Sequence, residues 1–118
     1  MSKAIVRFRT AAFIQQRGRC FYCDYPMWES NIEQFSSHHR VSLAQARHFR
    51  CTAEHLKARR DGGDCSRINI VAACRRCNLR RHARKGSVAP DAYRRLVRSR
   101  LRQGRWHVCT KCRLTAGC

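Results

Sequence analysis

In the N-terminal half of the chain, apolar residues recur at helical spacing in two stretches. The apolar positions within residues 4–17 predict a short helix that ends near Gly18, because glycine commonly stops a helix. Ser42 is a suitable N-cap for a second helix that extends to about Phe49. Residues 31–40 are weakly patterned, and no element is predicted there.

Two short apolar runs in the middle of the chain predict extended structure. Residues 51–56 are compact enough for a strand, and residues 68–73 are apolar enough for a second strand or a buried turn. Residues 59–64 contain two glycines and two acids, a composition typical of a loop. The middle of the chain is therefore predicted to be a strand, a loop and a second extended segment.

The C-terminal half predicts two helices separated by a linker. Residues 74–84 contain good helix formers with no internal glycine or proline. Residues 86–90 are typical of a linker, and Pro90 suits the first turn of a helix that extends to about Gln103. The apolar residues of this last helix share one face, and most of its arginines lie off it. The apolar set is Tyr93, Leu96, Val97 and Leu101.

Nine cysteines in 118 residues suggest how so small a core is stabilised. The length corresponds to one domain with a modest core, so we expect disulfides or metal to add stability. No apolar stretch has the length of a signal peptide or a membrane span, which predicts a cytoplasmic protein with reduced thiols. Because an odd number of cysteines does not close a disulfide framework, close cysteine pairs are interpreted as metal ligands.

The charge of the chain predicts a polyanionic partner. Lys and Arg number 26 against 7 Asp and Glu, which gives a formal net charge of +19. Arg predominates, and its fork-shaped guanidinium matches phosphate oxygens. A solvated basic surface or binding to anionic membranes are the alternatives, but no basic helix with an apolar face stands alone as a membrane anchor. We therefore expect a nucleic acid as the partner, with no membrane and no small-molecule substrate.

Two Cys-x-x-Cys pairs predict a zinc site. Two residues between thiolates allow both sulfurs to bind one tetrahedral ion, and two such pairs complete a closed structural site with no position for water. Ordinary buried cysteines or a redox pair are the alternatives. The four ligands would be Cys20, Cys23, Cys74 and Cys77.

The residues from about 20 to 84 resemble the HNH nuclease family, of the zinc-stapled ββα-metal type. The resemblance implies an α+β fold, with a ββα-metal core, a four-cysteine zinc knot and flanking helices. We expect residues 1–88 to form the nuclease domain, and residues 89–118 to form a basic helix and tail on or beside it. The matching elements, in order, are Glu54-His55, Gly62-Gly63, Asn69-Ile70-Val71, the second cysteine pair with Asn78, and His82.

The resemblance also implies roles for the site residues. His55 becomes the general base, for which a neutral imidazole is suited near pH 7. Glu54 and Asn78 become ligands of a catalytic Mg²⁺, Mn²⁺ or other divalent cation, and Asn69 braces the loop that carries the base. Asn78 and His82 share a helix face, so His82 is a further candidate ligand. Glu54 and Asn78 stand where Asp and His are commoner in the family. Two alternatives remain open: Asn78 caps the helix, or His82 is an ordinary surface residue.

The basic residues around the predicted metal helix are interpreted as phosphate contacts. In the family this helix lies against the minor groove, so we expect contacts that position DNA without specifying sequence. These residues are Arg75, Arg76, Arg80, Arg81 and Arg84.

The remaining cysteines have less specific interpretations. Cys109 and Cys112, with Cys118 and His107 nearby, form either a second zinc site or, the interpretation we favour, a frayed terminus with free thiols.

Three hypotheses of function follow from these patterns. The first is an HNH endonuclease that hydrolyses DNA phosphodiester bonds. The second is a non-catalytic, zinc-containing nucleic-acid-binding protein with a degenerate HNH site, and the third is an RNA-binding protein. The joint presence of Glu54, His55 and Asn78 favours the first hypothesis, because a pure binder does not need that set. The oligomeric state is not specified by the sequence.

Overall fold

The computed structural model of the protein describes residues 2–107, so Cys109, Cys112 and Cys118 lie outside the described residues. The described part contains five helices, two strands and three short 3₁₀ turns. The helices are α1 (Lys3–Gln15), α2 (Ile32–His39), α3 (Leu43–Ala46), α4 (Arg75–His82) and α5 (Pro90–Arg102), and the strands are β1 (Cys51–His55) and β2 (Ile70–Cys74). The 3₁₀ turns are Arg47–Phe49, Arg59–Asp61 and Arg67–Asn69.

The two strands and α4 form one continuous unit. β1 pairs with β2 in an antiparallel register from Cys51 opposite Cys74 to His55 opposite Ile70. α4 begins directly after β2, and Cys74 acts as its N-cap, with Sγ accepting a hydrogen bond from the backbone N–H of Cys77. The predicted strand–strand–helix order of an α+β fold is confirmed.

The main core forms around the cysteines. The buried residues include Tyr22, Met27 and Tyr93, and α1 contacts both strands of the sheet. Tyr93 and Val97 of α5 are fully buried, and the Tyr93 hydroxyl donates to the carbonyl oxygen of Cys77 at 2.7 Å. The predicted apolar face of the last helix is therefore confirmed.

A second, smaller core lies under α2 and α3. Phe35, Val41, Ala46 and Phe49 are buried together. The apolar pattern does not indicate α2, because Phe35 is its only buried residue and the helix is specified mainly by its ends. The Asn31 side chain caps the helix start, and Arg40 ends the helix in a left-handed conformation with φ of 56°.

Two further predictions need correction. The helix predicted from Ser42 to Phe49 is a four-residue α-helix followed by a 3₁₀ turn, although Ser42 does cap it. Ile68 does not begin a strand: it lies in a 3₁₀ turn and is 89% exposed, and β2 starts two residues later.

Trp106 follows α5 and belongs to no helix or strand, but it is 2% exposed and packs in the main core.

Within residues 2–107, no helix combines the length and the apolar character needed to cross a bilayer.

We predict that Gly63→Ala destabilises the loop between the strands. A Cβ at this position would collide with the backbone carbonyl of Lys57, and neither group can move independently of the loop. We expect a loss of more than about 2 kcal/mol in the free energy of unfolding, measured with urea. Gly86→Ala is the matched control, since a Cβ there meets nothing within 4 Å and the positive φ of 74° costs only about 1 kcal/mol. Equal losses in the two variants would contradict the predicted collision.

Candidate active site and zinc centre

Four cysteines converge at the junction of β2 and α4. The Sγ atoms of Cys20, Cys23, Cys74 and Cys77 all lie within 4.8 Å of one another, and all four residues are buried. Cys20 and Cys23 lie in the turns after α1, whereas Cys74 ends β2 and Cys77 lies in the first turn of α4. The cluster thus joins the N-terminal segment to the strand–helix unit.

Hydrogen bonds from N–H groups surround the sulfurs. Cys20 Sγ accepts from the backbone N–H of Tyr22 at 3.4 Å and of Cys74 at 3.2 Å. The indole N–H of Trp106 donates to Cys77 Sγ at 3.3 Å. Burial raises the pKa of the Cys23 and Cys77 thiols, so these groups lose protons at neutral pH only with a compensating positive charge nearby. Four convergent sulfurs with N–H donors are compatible with a structural zinc ion.

Glu54 is a buried carboxylate whose two oxygens have different partners. Its side chain extends from β1 and is 1% exposed. Oε2 accepts from the Tyr22 hydroxyl at 2.9 Å and from Nη1 of Arg81 at 3.1 Å. Oε1 lies 2.8 Å from Nε2 of His82. One oxygen is therefore held by the core, and the other faces a histidine on α4.

Arg81 is the buried cation that balances Glu54. It is 5% exposed, and besides the carboxylate it donates to the carbonyl oxygens of His55 at 2.9 Å and Leu56 at 2.7 Å. Its Nε and Nη2 also donate to the carbonyl oxygen of Val88. The prediction that Arg81 contacts nucleic acid is therefore wrong, because every nitrogen of its guanidinium is used within the protein.

His55, at the end of β1, is directed toward the loop side of the sheet. Its Nε2 lies 3.3 Å from Nε of Arg59 and 3.5 Å from Sγ of Cys65. Burial, with the Arg59 guanidinium as the second cause, lowers the pKa of His55 below its usual value. The imidazole is therefore neutral at pH 7, and its Nε2 accepts a hydrogen bond from Nε of Arg59.

α4 contributes the remaining polar groups of the site. Asn78 Nδ2 donates to Oγ1 of Thr52 at 3.0 Å and to the carbonyl oxygen of Ala53 at 3.2 Å, which fixes the amide against β1. A pocket of about 300 Å³ lies in front of these groups. It is lined by four of the residues singled out in the sequence: Glu54, His55, Asn78 and His82.

Asn69 lies outside this pocket, beneath the loop between the strands. Its Oδ1 accepts from the backbone N–H of Lys57 at 2.8 Å, and Nδ2 donates to the carbonyl oxygens of Lys57 and Asp64. Its own carbonyl accepts from the backbone N–H of Leu56 at 2.9 Å. Asn69 therefore ties together the two ends of the loop that follows His55.

The other four arginines predicted to contact phosphates differ in their surroundings. Arg75 and Arg84 are exposed. Arg76 and Arg80 each donate to the carbonyl oxygen of Trp106 at 3.3 Å, and the Arg80 guanidinium lies 4.7 Å from the centre of the Trp106 ring. These two arginines help to hold Trp106 over the cysteine cluster.

Three members of the site are not indicated by the sequence patterns: Tyr22, Arg59 and Cys65. Tyr22 lies inside the first Cys-x-x-Cys pair, and its contact with Glu54 spans 32 positions of the chain, so no local pattern indicates it. Arg59 lies four residues after His55 in a predicted loop, and a loop pattern does not indicate which side chain contacts the histidine.

Two antiparallel strands followed at once by a helix, with a four-cysteine cluster at the strand–helix junction, define the ββα class of fold. Residues 45–84 match the family model described as HNH endonuclease. This match spans both strands, α4 and the pocket described above, so this part of the chain is similar to HNH endonuclease domains. No curated protein and no solved structure matches the chain.

We predict that the purified protein carries one zinc ion per chain and that Cys74→Ala abolishes zinc binding and folding, as measured by elemental analysis and circular dichroism. Cys51→Ala is the matched control: Cys51 is also buried but lies outside the cluster, and burial raises its pKa to about 12. This variant should retain zinc and lose only about 1 kcal/mol of stability. Folded wild-type protein without zinc would contradict the zinc assignment.

We predict that Arg81→Met costs about 3–5 kcal/mol in the free energy of unfolding, because it leaves the Glu54 carboxylate buried without its cationic partner. The measurement is urea unfolding in the presence of zinc. Arg84→Met, at an exposed position of the same region, should change stability by no more than about 0.5 kcal/mol. If the two variants were equally stable, Arg81 would not be the charge that balances Glu54.

Proposed function

We propose that this chain is a metal-dependent endonuclease that hydrolyses DNA phosphodiester bonds. The observation that carries the proposal is the convergence of Glu54, His55, Asn78 and His82 on one pocket. A buried carboxylate, a neutral imidazole and two further ligand-type side chains form the set that metal-assisted hydrolysis requires. A protein that only binds nucleic acid has no use for this arrangement.

The donor set of the pocket fits a divalent cation. Oε1 of Glu54 and Nε2 of His82 lie 2.8 Å apart, and neighbouring ligands of an octahedral Mg²⁺ ion are about 3 Å apart. Asn78 lines the same pocket and supplies an amide as a further ligand. An imidazole in the set also suits Mn²⁺ and related ions. Once bound, the cation would neutralise the scissile phosphate and stabilise the charge that develops on the leaving oxygen.

His55 then acts as the general base. Its lowered pKa keeps the imidazole neutral at pH 7, and Nε2 accepts a hydrogen bond from Arg59 in the absence of substrate. In the complex, Nε2 would instead take the proton of the attacking water, and Arg59 would be free to approach the phosphate. Asn69 keeps the loop after His55 in one conformation, which orients the base.

Nucleic acid is the substrate class that the charge favours, and the resemblance to HNH nucleases favours DNA. The net charge of +19 supplies a strong, sequence-independent attraction for phosphates. Arg75 and Arg84 are exposed near the two ends of α4, the helix that also carries Asn78 and His82, and would contact phosphates on either side of the cut. Such contacts position the duplex and do not read its bases.

We predict that the protein nicks or cuts supercoiled plasmid DNA when Mg²⁺ or Mn²⁺ is added, and that His55→Ala lowers the rate by about 10²–10⁴-fold, the usual contribution of a general base. DNA affinity, measured by gel shift without added catalytic cation, should be nearly unchanged. The matched control is His38→Ala, which removes an exposed imidazole on α2 outside the pocket and should cut at the wild-type rate.

Wild-type protein that binds DNA but does not cut it with any divalent cation would favour the second hypothesis, a non-catalytic zinc-containing binding protein. Equal cutting by the wild type and His55→Ala would instead support the nuclease function but show that His55 is not its general base.

A further inference from the structure

A second concave surface lies at the amino end of α4, outside the candidate active site. It has a volume of about 670 Å³. We call it the arginine groove, and it is formed chiefly by Trp28, Ile32, Ala44, Arg47, Arg50 and Arg75. None of the residues assigned to the metal or to the base belongs to it.

The arginine groove is cationic and has no acidic residue in its lining. Arg47, Arg50 and Arg75 are all exposed, and none of the three guanidinium groups forms an ion pair with any residue of the described range 2–107. His48 adds no charge, because burial and the nearby Arg76 lower its pKa. Three unneutralised cations around one concavity attract an anion, and phosphate matches guanidinium geometry best.

The floor of the arginine groove is apolar and rigid. The indole N–H of Trp28 donates to the carbonyl oxygen of Ala46 at 2.7 Å, which fixes the ring in place. Ile32 and Ala44 provide aliphatic surface beside it, and the Arg50 guanidinium lies 5.5 Å from the ring centre. An aromatic ring flanked by arginines is the arrangement that binds an unpaired base together with its phosphates. A base-paired duplex would contact the arginines but leave the concavity unfilled.

The arginine groove and the candidate active site both lie along α4. Arg75, Asn78 and His82 are three and four residues apart and therefore follow one stripe of α4. The axial rise of an α-helix places Arg75 and His82 about 10 Å apart, which equals about three nucleotides of a stacked strand. The backbone N–H of Arg75 also donates to the carbonyl oxygen of Arg50 at 2.9 Å, so both sides of the groove are anchored to the strand–helix unit.

We propose that the arginine groove binds an unpaired nucleotide about three positions from the cut, so that DNA with a single-stranded segment beside the cleavage site is the preferred substrate. The proposal rests on the nuclease function in assigning the position of the cut. Binding of the unpaired nucleotide depends only on the arginine groove and is tested without cleavage. A failure of this binding is therefore distinguishable from a failure of the proposed nuclease function.

The test compares two labelled oligonucleotides, a blunt duplex and the same duplex with a five-nucleotide single-stranded overhang, by fluorescence anisotropy without added catalytic cation. The wild type should bind the overhang DNA about tenfold more tightly, the value of stacking one base. Ala44→Glu places a carboxylate in the groove at an exposed helix position and should abolish this preference. Ala44→Gln, of equal size but neutral, should retain most of it.

Two further measurements test whether Trp28 and the arginines of the arginine groove contact the DNA. Overhang DNA should quench the fluorescence of Trp28, and the signal is specific because the other tryptophan, Trp106, is 2% exposed. Replacing both Arg47 and Arg50 by Gln should lower the slope of log affinity against log salt by about 1.4 for single strands. The same charge change at Lys3 and Arg7, exposed residues of α1 outside the groove, should leave the preference for overhang DNA intact.

Equal affinity of the wild type for the two oligonucleotides would overturn the proposal, as would equal behaviour of the Ala44→Glu and Ala44→Gln variants. A preference for overhang DNA without quenching of Trp28 would also overturn it, since the unpaired base would then bind elsewhere.

Discussion

The convergence of four buried sulfur atoms is the constraint on which the rest of the molecule depends. Cys20 and Cys23 fix the segment after α1, and the tyrosine between them reaches Glu54 from there. Cys74 and Cys77 fix the point where β2 becomes α4, so Asn78 and His82 follow at set angles on the helix. In a core of this size, a metal ion bound only by the folded chain supplies stability that apolar burial alone does not.

Glu54 connects this scaffold to the proposed chemistry. Its Oε2 belongs to the core, through Tyr22 and Arg81, and its Oε1 belongs to the pocket, through His82. One oxygen of this buried carboxylate thus has a structural role, and the other is available to a cation. The Arg81 guanidinium extends the same link to the backbone on either side, because it also binds the carbonyl groups that follow Glu54 and the linker before α5. The strand, the helix and the linker therefore share one buried charge pair.

The sequence predicted those parts of the fold that are determined by the spacing of residues along the chain. The cysteine pairs, the two strands and the amphipathic face of α5 follow from local patterns, and Glu54, His55 and Asn78 follow from the resemblance to the HNH nuclease family. The pattern did not predict α2, which buries one residue, or the contact of Tyr22 with a residue far along the chain. It also did not distinguish Arg81 from the arginines beside it, because only the three-dimensional packing shows which of them is buried.

The N–H donors around the cysteine cluster are not distributed equally, and this has a consequence for how the centre would come apart. Cys20, Cys74 and Cys77 each accept at least one N–H hydrogen bond, whereas within residues 2–107 the Sγ of Cys23 has no N–H donor and lies among the other three sulfurs, 3.9 Å from that of Cys74. A sulfur without an N–H donor has its negative charge stabilised least, and burial raises the pKa of the Cys23 thiol in the same direction. Acid that gains access to the core would therefore protonate Cys23 readily, and the segment released would be the turn that carries Tyr22. Opening of the cysteine cluster would in this way reach Glu54 before the sheet itself opened.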